Sequence, residues 1–169
     1  VPPSGFKRGF ADLMNAYNSQ RVGAATVALG LAAGANDYAL GYSMEREQFG
    51  RPICEFQGLQ WMLADMSIQL EAARLLVYQA ASSADPFPDP KLAAQAKVFA
   101  SEMAIKVTND ALQVYGARGY SRQFPLERMV RDARMFTIGG GTAQILRTVI
   151  ASQLLGRKLP QRRDGYVKR

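Results

Sequence analysis

A chain of 169 residues that is 48% hydrophobic is long enough for one domain with a real core and too short for two comfortable ones. The formal charge of +7 invites a nucleic-acid reading, but Arg157–Arg169 alone carries +5 and leaves +2 for the other 156 residues, so the body is nearly balanced. One cysteine, Cys54, and no histidine exclude an internal disulfide and any zinc or catalytic-cysteine constellation drawn from this chain alone.

The opening "VPPSGFKRGF" has no apolar stretch of secretory length and reads as an interior starting point, as though further segments precede it. From about Phe10 to Glu45 the spacing predicts a helix, with Val22, Thr26, Leu29, Ala33 and Leu40 as its inward face. Its longest uncharged apolar run, Val22–Ala35, spans 14 residues and falls short of a membrane crossing. Gly50 and Pro52 stop this helix. A second helix begins near Cys54, with Phe56, Leu59, Leu63, Met66, Leu70, Ala73 and Val77 in alternating steps of three and four. "SSADPFPDP" is a loop that ends with Asp89 as an N-cap and Pro90 in the first helical position. The third helix buries Leu92, Ala96, Phe99, Met103, Val107, Ala111 and Val114, and Gly116 and Gly119 end it. A short helix starts at Pro125, and a last one runs from about Thr142 to Leu155 with Gly156 as its stop. No stretch competes for strand. The fold class is therefore all-α, an up-and-down four-helix-type bundle over residues 1–157 followed by a basic tail, 158–169. That tail reads as solvated.

Four segments carry more polar and glycine detail than a bundle needs: "EREQFG" with the following Gln57, "QVYGARGY", "RMVRDARMFTI" and "GGGTAQ". Each alone has a plain structural explanation, as a charged helix end, a glycine cap, a solvated basic face or a turn. In this order, together with "MLADM" (Met62 to Met66), they resemble the C-terminal helical domain of the acyl-CoA dehydrogenases over roughly residues 5 to 157. That family's pattern runs Arg-x-x-Phe-Gly, Gln, Met-Leu-Ala-Asp-Met, Gln-x-x-Gly-Gly-x-Gly-Tyr, Arg-Asp-Ala and Glu-Gly-Thr-x-x-Ile. An N-terminal helical domain and a β-barrel precede this bundle in the family.

The resemblance implies FAD bound across a subunit boundary, met at Arg46, Gln48, Phe49, Gln57, Gln113, Gly116 and Ala117, with the flavin held by Thr142 and Gln144, so that these separated patches converge around one nucleotide. A fixed guanidinium suits a pyrophosphate, and the unpaired N–H groups at the start of the last helix suit an electron-rich ring. Ala117 and Arg118 depart from the family's second glycine and the residue after it. The resemblance further implies an acyl-CoA substrate met by Arg21, Gly139 and Gly140, a homotetramer built as a dimer of dimers, and electron-transfer flavoprotein or another acceptor. The compartment it implies is a bacterial cytoplasm or an organelle matrix.

One family feature is absent. The glutamate that removes the α-proton stands before the Gly-Thr pair, where this chain has Gly140, and an alternative glutamate of the family corresponds to Gln20, before Arg21. Neither residue is a general base near neutral pH. Gly140 keeps a backbone N–H that can polarise a thioester carbonyl. With Gly139 in place of an aromatic residue, two side chains are missing from the acyl pocket. These losses point to a branched or alicyclic acyl group and to a carboxylate supplied from elsewhere as base. The other reading is an inactive or DNA-binding relative. Six basic residues in Arg157–Arg169, with Tyr166 as the one aromatic among them, argue weakly for nucleic acid.

Overall fold

The computed structural model describes residues 9–157 and Leu159, the side chains of Phe10 and Ala11 excepted. The basic run expected at 158–169 lies outside the described residues, apart from Leu159. Three long helices, α1 (Gly9–Glu45), α2 (Gln57–Ser82) and α3 (Pro90–Tyr115), are followed by α4 (Ala117–Tyr120), α5 (Leu126–Phe136) and α6 (Ala143–Leu154). The bundle is all-α as expected, and no described helix is long and apolar enough to cross a membrane.

The helix boundaries follow local chemistry. Asp89 accepts a hydrogen bond from the Leu92 N–H at 2.9 Å, and Pro90 occupies the first turn, where its missing N–H costs nothing. Thr142 caps α6 by accepting from the Ile145 N–H at 3.2 Å. Gly116 and Gly156, both at positive φ, turn the chain out of α3 and α6.

The core is built largely on alanine. Ala25, Ala28, Ala32, Ala35 and Ala39 of α1 are buried, as are Ala93, Ala96, Ala100, Ala104 and Ala111 of α3, and α1 against α3 is the most extensive helix contact. Side chains this small let two backbones approach closely, and Met66, Leu70, Val77, Met103 and Val107 fill the remaining volume. The seam expected on α2 is borne out at Met66, Leu70, Ala73 and Val77.

Three expectations need correction. On α1, Leu40 and Thr26 face outward rather than inward, because the alanine stripe offset from them makes the closer contact with α3; the Thr26 hydroxyl instead donates to the Val22 carbonyl at 2.9 Å. On α3, packing comes from α1, α2, α5 and α6, so burial extends around most of the helix, while Leu92 and Phe99 are only half-buried. The expectation of no strand fails at a two-residue hairpin, β1 (Glu47–Gln48) paired antiparallel with β2 (Arg51–Pro52). Phe49 and Gly50 between them have φ of 56° and 76°, the mirror-image turn that suits the twist of paired strands.

Gly119 does not simply end α3 but lies in α4, packed on the last turn of the longer helix. A Cβ added there would sit 2.7 Å from the Tyr115 Cβ and 3.0 Å from the Leu112 carbonyl oxygen, and neither can move without the α3 backbone. Gly119→Ala is expected to destabilise the protein by about 1–3 kcal/mol, read as a lowered midpoint in urea denaturation.

Candidate functional site

At one end of the bundle the hairpin meets the turn after α3. The Arg46 backbone is tied on both sides, its N–H donating to Tyr42 and its carbonyl accepting from the Ile53 N–H, each at 2.8 Å. Its guanidinium makes no ion pair among the described residues. Arg46, Gln48, Gly116 and Ala117 line one cleft of about 280 Å³, which Tyr42 and Tyr115 also line, their rings stacked 4.1 Å apart. Gly116 leaves its side of the cleft open, since a Cβ there would meet nothing within 4 Å. An unpaired guanidinium beside open backbone and flat rings fits the phosphate and ring portions of a nucleotide. Phe49, at the hairpin tip, holds its ring 91% exposed in a left-handed conformation that costs a side-chain-bearing residue free energy. Gln57 and Gln113 are exposed in the first turn of α2 and the last turn of α3, and neither lines this cleft.

A second group forms around the glycine turn before α6. Thr142 and Gln144 line another cleft of about 280 Å³ with Glu102, Arg134 and Thr137. Gly140 and Gly141 have φ of 70° and 97°, which only glycine adopts readily, and among the described residues the N–H groups of Gly140, Gly141 and Thr142 donate to no acceptor. Six of the nine expected cofactor contacts therefore line two separate clefts within one chain, and Phe49, Gln57 and Gln113 line neither. Free backbone donors at a helix start fit an electron-rich ring edge or an oxyanion.

Behind that turn lies a polar cluster drawn from α1 and α3. A Cβ on Gly140 would sit 3.0 Å from the Gln20 Oε1, so the two positions where the resemblance looks for a base are in contact, and neither holds a carboxylate. A Cβ on Gly139 would sit 3.0 Å from the Met135 sulfur. Along these two Cβ directions the space is not empty: the Gln20 amide stands before Gly140 and the Met135 thioether before Gly139. Half-buried Arg21 donates to Asn18 at 2.8 Å and leaves its Nε buried without a partner. Lys97 is fully buried and donates from Nζ to the Gly141 carbonyl at 2.7 Å. Burial, and secondly Arg21, hold its ammonium below the ordinary lysine range. Burial likewise pulls the Arg21 guanidinium down.

Sequence reasoning missed Lys97. The signal was present: Ala93, Lys97, Ala100, Ala104, Val107, Ala111 and Val114 form an unbroken seam of alternating four and three, all buried, with one charge inside it.

The model for the acyl-CoA dehydrogenase C-terminal domain matches residues 7–155. The chain belongs to the acyl-CoA dehydrogenase family. The family consists of oxidoreductase flavoproteins, and its members are generally FAD-dependent. Four bacterial proteins named 3-sulfinopropanoyl-CoA desulfinase are 66–73% identical to this chain. That of Paraburkholderia xenovorans is 73% identical over 98% of this chain and 42% of its own length, and that of Cupriavidus necator 68% identical over 99% and 42%. The chain therefore spans less than half the length of the relatives it matches. Further relatives at 44–45% identity carry acyl-CoA dehydrogenase and reductase names. Butyryl-CoA dehydrogenase from Megasphaera elsdenii superposes with a TM-score of 0.85 at 42% identity, covering 88% of this chain and 39% of that one.

The rim of the second cleft gives a pH prediction for this acyl-CoA dehydrogenase domain. Arg147 donates to both carboxylate oxygens of Glu102 at 2.7 and 2.8 Å, and these bonds hold the Glu102 carboxyl below the usual range. A depressed folded pKa contributes stability that is present above the unfolded value, about 4.3, and is lost as pH falls through the folded one. The pair is exposed, so its worth is at most about 1 kcal/mol. Glu102→Gln is expected to lower stability slightly at neutral pH and to show a smaller further loss than the unsubstituted protein on acidification to about pH 3, measured by urea denaturation at both pH values.

Proposed function

We propose that this chain is the C-terminal helical domain of an FAD-dependent enzyme that removes the sulfinate group from 3-sulfinopropanoyl-CoA, rather than of a dehydrogenase acting on a branched or alicyclic acyl-CoA. The observation that carries the reading is the contact of Gln20 with Gly140: the family's two base positions meet, and both are neutral. Identity of 66–73% to four proteins of that name, against 44–45% to dehydrogenases and reductases, supports it independently.

The chemistry matches the residues present. Desulfination replaces a carbon–sulfur bond by a carbon–hydrogen bond: water gives a hydrogen to carbon and a hydroxyl to sulfur, leaving propanoyl-CoA and hydrogen sulfite. Carbon gains the two electrons that sulfur loses, so no external acceptor is needed, and the electron-transfer flavoprotein expected for a dehydrogenase drops out. The Gly140 N–H faces the thioester carbonyl, Arg21 lies on the same wall, and no carboxylate of this turn opposes an anionic acyl group. Arg46, Gln48, Phe49, Gly116 and Ala117, with Gln57 and Gln113 beside them, hold the pyrophosphate and adenine portion of FAD from one subunit. Thr142 and Gln144 meet the ring system of the FAD in the other cleft, which accounts for two clefts per chain and for Phe49 held outward. When bound, the flavin supplies a ribityl hydroxyl as a second donor to the thioester carbonyl. A homotetramer completes these shared sites.

The test uses the full-length protein with FAD. With 3-sulfinopropanoyl-CoA, sulfite and propanoyl-CoA are expected in equal amounts, with no dye reduction when propanoyl-CoA is the substrate. Dye reduction by saturated acyl-CoAs without sulfite release would overturn the proposal. Gly140→Glu is not expected to create a dehydrogenase. At φ +70° the new Cβ is strained and 3.0 Å from Gln20, so sulfite release should fall about tenfold or more with no dye reduction gained.

A further inference from the structure

The glycine turn poses a mechanical problem. Gly139, Gly140 and Gly141 in succession have little conformational preference of their own, so three residues that should present donors in fixed directions are the ones with the most freedom to lose. Thr142 fixes the turn from its C-terminal side by capping α6, and the Ala143 N–H donates back to the Thr137 carbonyl at 3.0 Å. Between these anchors the one side chain among the described residues that hydrogen-bonds the turn's backbone is Lys97, 44 residues earlier in the chain, through its 2.7 Å bond to the Gly141 carbonyl.

The composition of that contact is unusual for a structural one. Lys97 is among the largest fully buried side chains, it makes no ion pair among the described residues, and its nearest charged influence is another cation, Arg21. A neutral donor of similar length would hold a carbonyl without the desolvation cost of an ammonium. A cation does something further. The Gly141–Thr142 peptide is trans, so its carbonyl and its N–H point to opposite sides, and positive charge on the oxygen polarises the whole amide toward a stronger N–H donor. The Thr142 N–H at the far end of that amide has no acceptor among the described residues, and neither does the Gly140 N–H two peptides earlier.

We propose that Lys97 is a positioning residue for the reaction at the glycine turn: its buried ammonium fixes the Gly141 carbonyl, strengthens the Thr142 N–H of the same amide toward the flavin and, by holding the turn, keeps the Gly140 N–H aimed at the thioester. The inference rests on the reading that the Gly140 N–H faces the thioester carbonyl. Lys97 touches neither substrate nor cofactor and acts through the peptide it holds.

The experiment compares the full-length FAD-loaded protein with Lys97→Met, which keeps the reach and packing of the stem but loses charge and donor, and with Lys97→Arg, which keeps both. Two readouts are taken. In sulfite release, Lys97→Met is expected to lower kcat about 100-fold, with KM within about threefold and FAD retained, and Lys97→Arg to recover at least a tenth of the loss. In hydrogen exchange, which needs no turnover, the peptide covering residues 137–146 is expected to exchange faster in Lys97→Met while peptides of α1 and α2 stay unchanged. The proposal is overturned if kcat and exchange in that peptide both stay as in the unsubstituted protein. It is equally overturned if kcat, FAD content and melting temperature fall together without rescue by Lys97→Arg, or if Lys97→Met never accumulates as folded holoenzyme, since each assigns Lys97 to folding alone. Absence of sulfite release from the unsubstituted protein defeats the desulfination reading instead, and the exchange result then still decides whether Lys97 anchors the turn.

Discussion

The close approach of α1 to α3 is the constraint on which the rest of the structure depends. Alanines at 25, 28, 32, 35 and 39 meet alanines at 93, 96, 100, 104 and 111, all buried, and larger residues on either helix would push the two backbones apart. The consequence appears at the N-terminal ends of that contact. Gln20 and Arg21 lie about one turn before the alanine stripe of α1 and Lys97 lies within that of α3; Gln20 and Lys97 meet the turn before α6, and Arg21 acts on Lys97. Gln20 and Lys97 reach the turn because the helices beneath are so near. A bundle spaced on leucines would leave this cluster dispersed.

At the other end of the same helices the geometry is reversed. There α1 and α3 finish within the same region, and the chain leaves each through a left-handed turn, Phe49-Gly50 in one case and Gly116 in the other. Backbone is thus presented at the end of the bundle, with two guanidinium groups, Arg46 and Arg118, that make no ion pair among the described residues beside it. The two clefts have different characters as a result. The first offers an arginine and stacked rings, and the second offers free N–H groups and a cluster of cations behind them. A nucleotide cofactor with a charged, flexible middle and an electron-rich ring at one end has chemically distinct demands that correspond to these two surfaces.

How much of this was legible in the sequence depends on whether the signal was local. The Asp89-Pro90 and Thr142 helix starts were readable because capping involves residues three apart. The α2 seam was readable because one face of that helix packs and the other does not. The inward face of α1 was misjudged because large residues such as Leu40 drew attention that belonged to alanines, whose burial is decided by the partner helix. The hairpin was missed because Phe49 carries a positive φ without being glycine or asparagine, so the turn lacked its usual marker. The glycine turn before α6 was legible as a list of residues and not as a shape. Two glycines suggested empty space, and only the structure shows Gln20 and Met135 filling it.

That filling bears on why a desulfinating member of this family would lack the glutamate altogether, rather than hold it slightly out of place. A carboxylate at this turn would set a negative charge against the anionic sulfinate of 3-sulfinopropanoyl-CoA and would serve no step of a desulfination, which requires no α-carbanion. Replacing only one glutamate position would leave the other carboxylate beside it, because the two positions adjoin. Glycine at one and glutamine at the other remove both at once. The amide of Gln20 fills the space as a neutral group, while Arg21 and Lys97 are left unneutralised on the same side, a field that favours an anionic acyl group and the partial negative charge on its carbonyl. Losing the base and keeping the cations are, on this account, two parts of a single electrostatic arrangement.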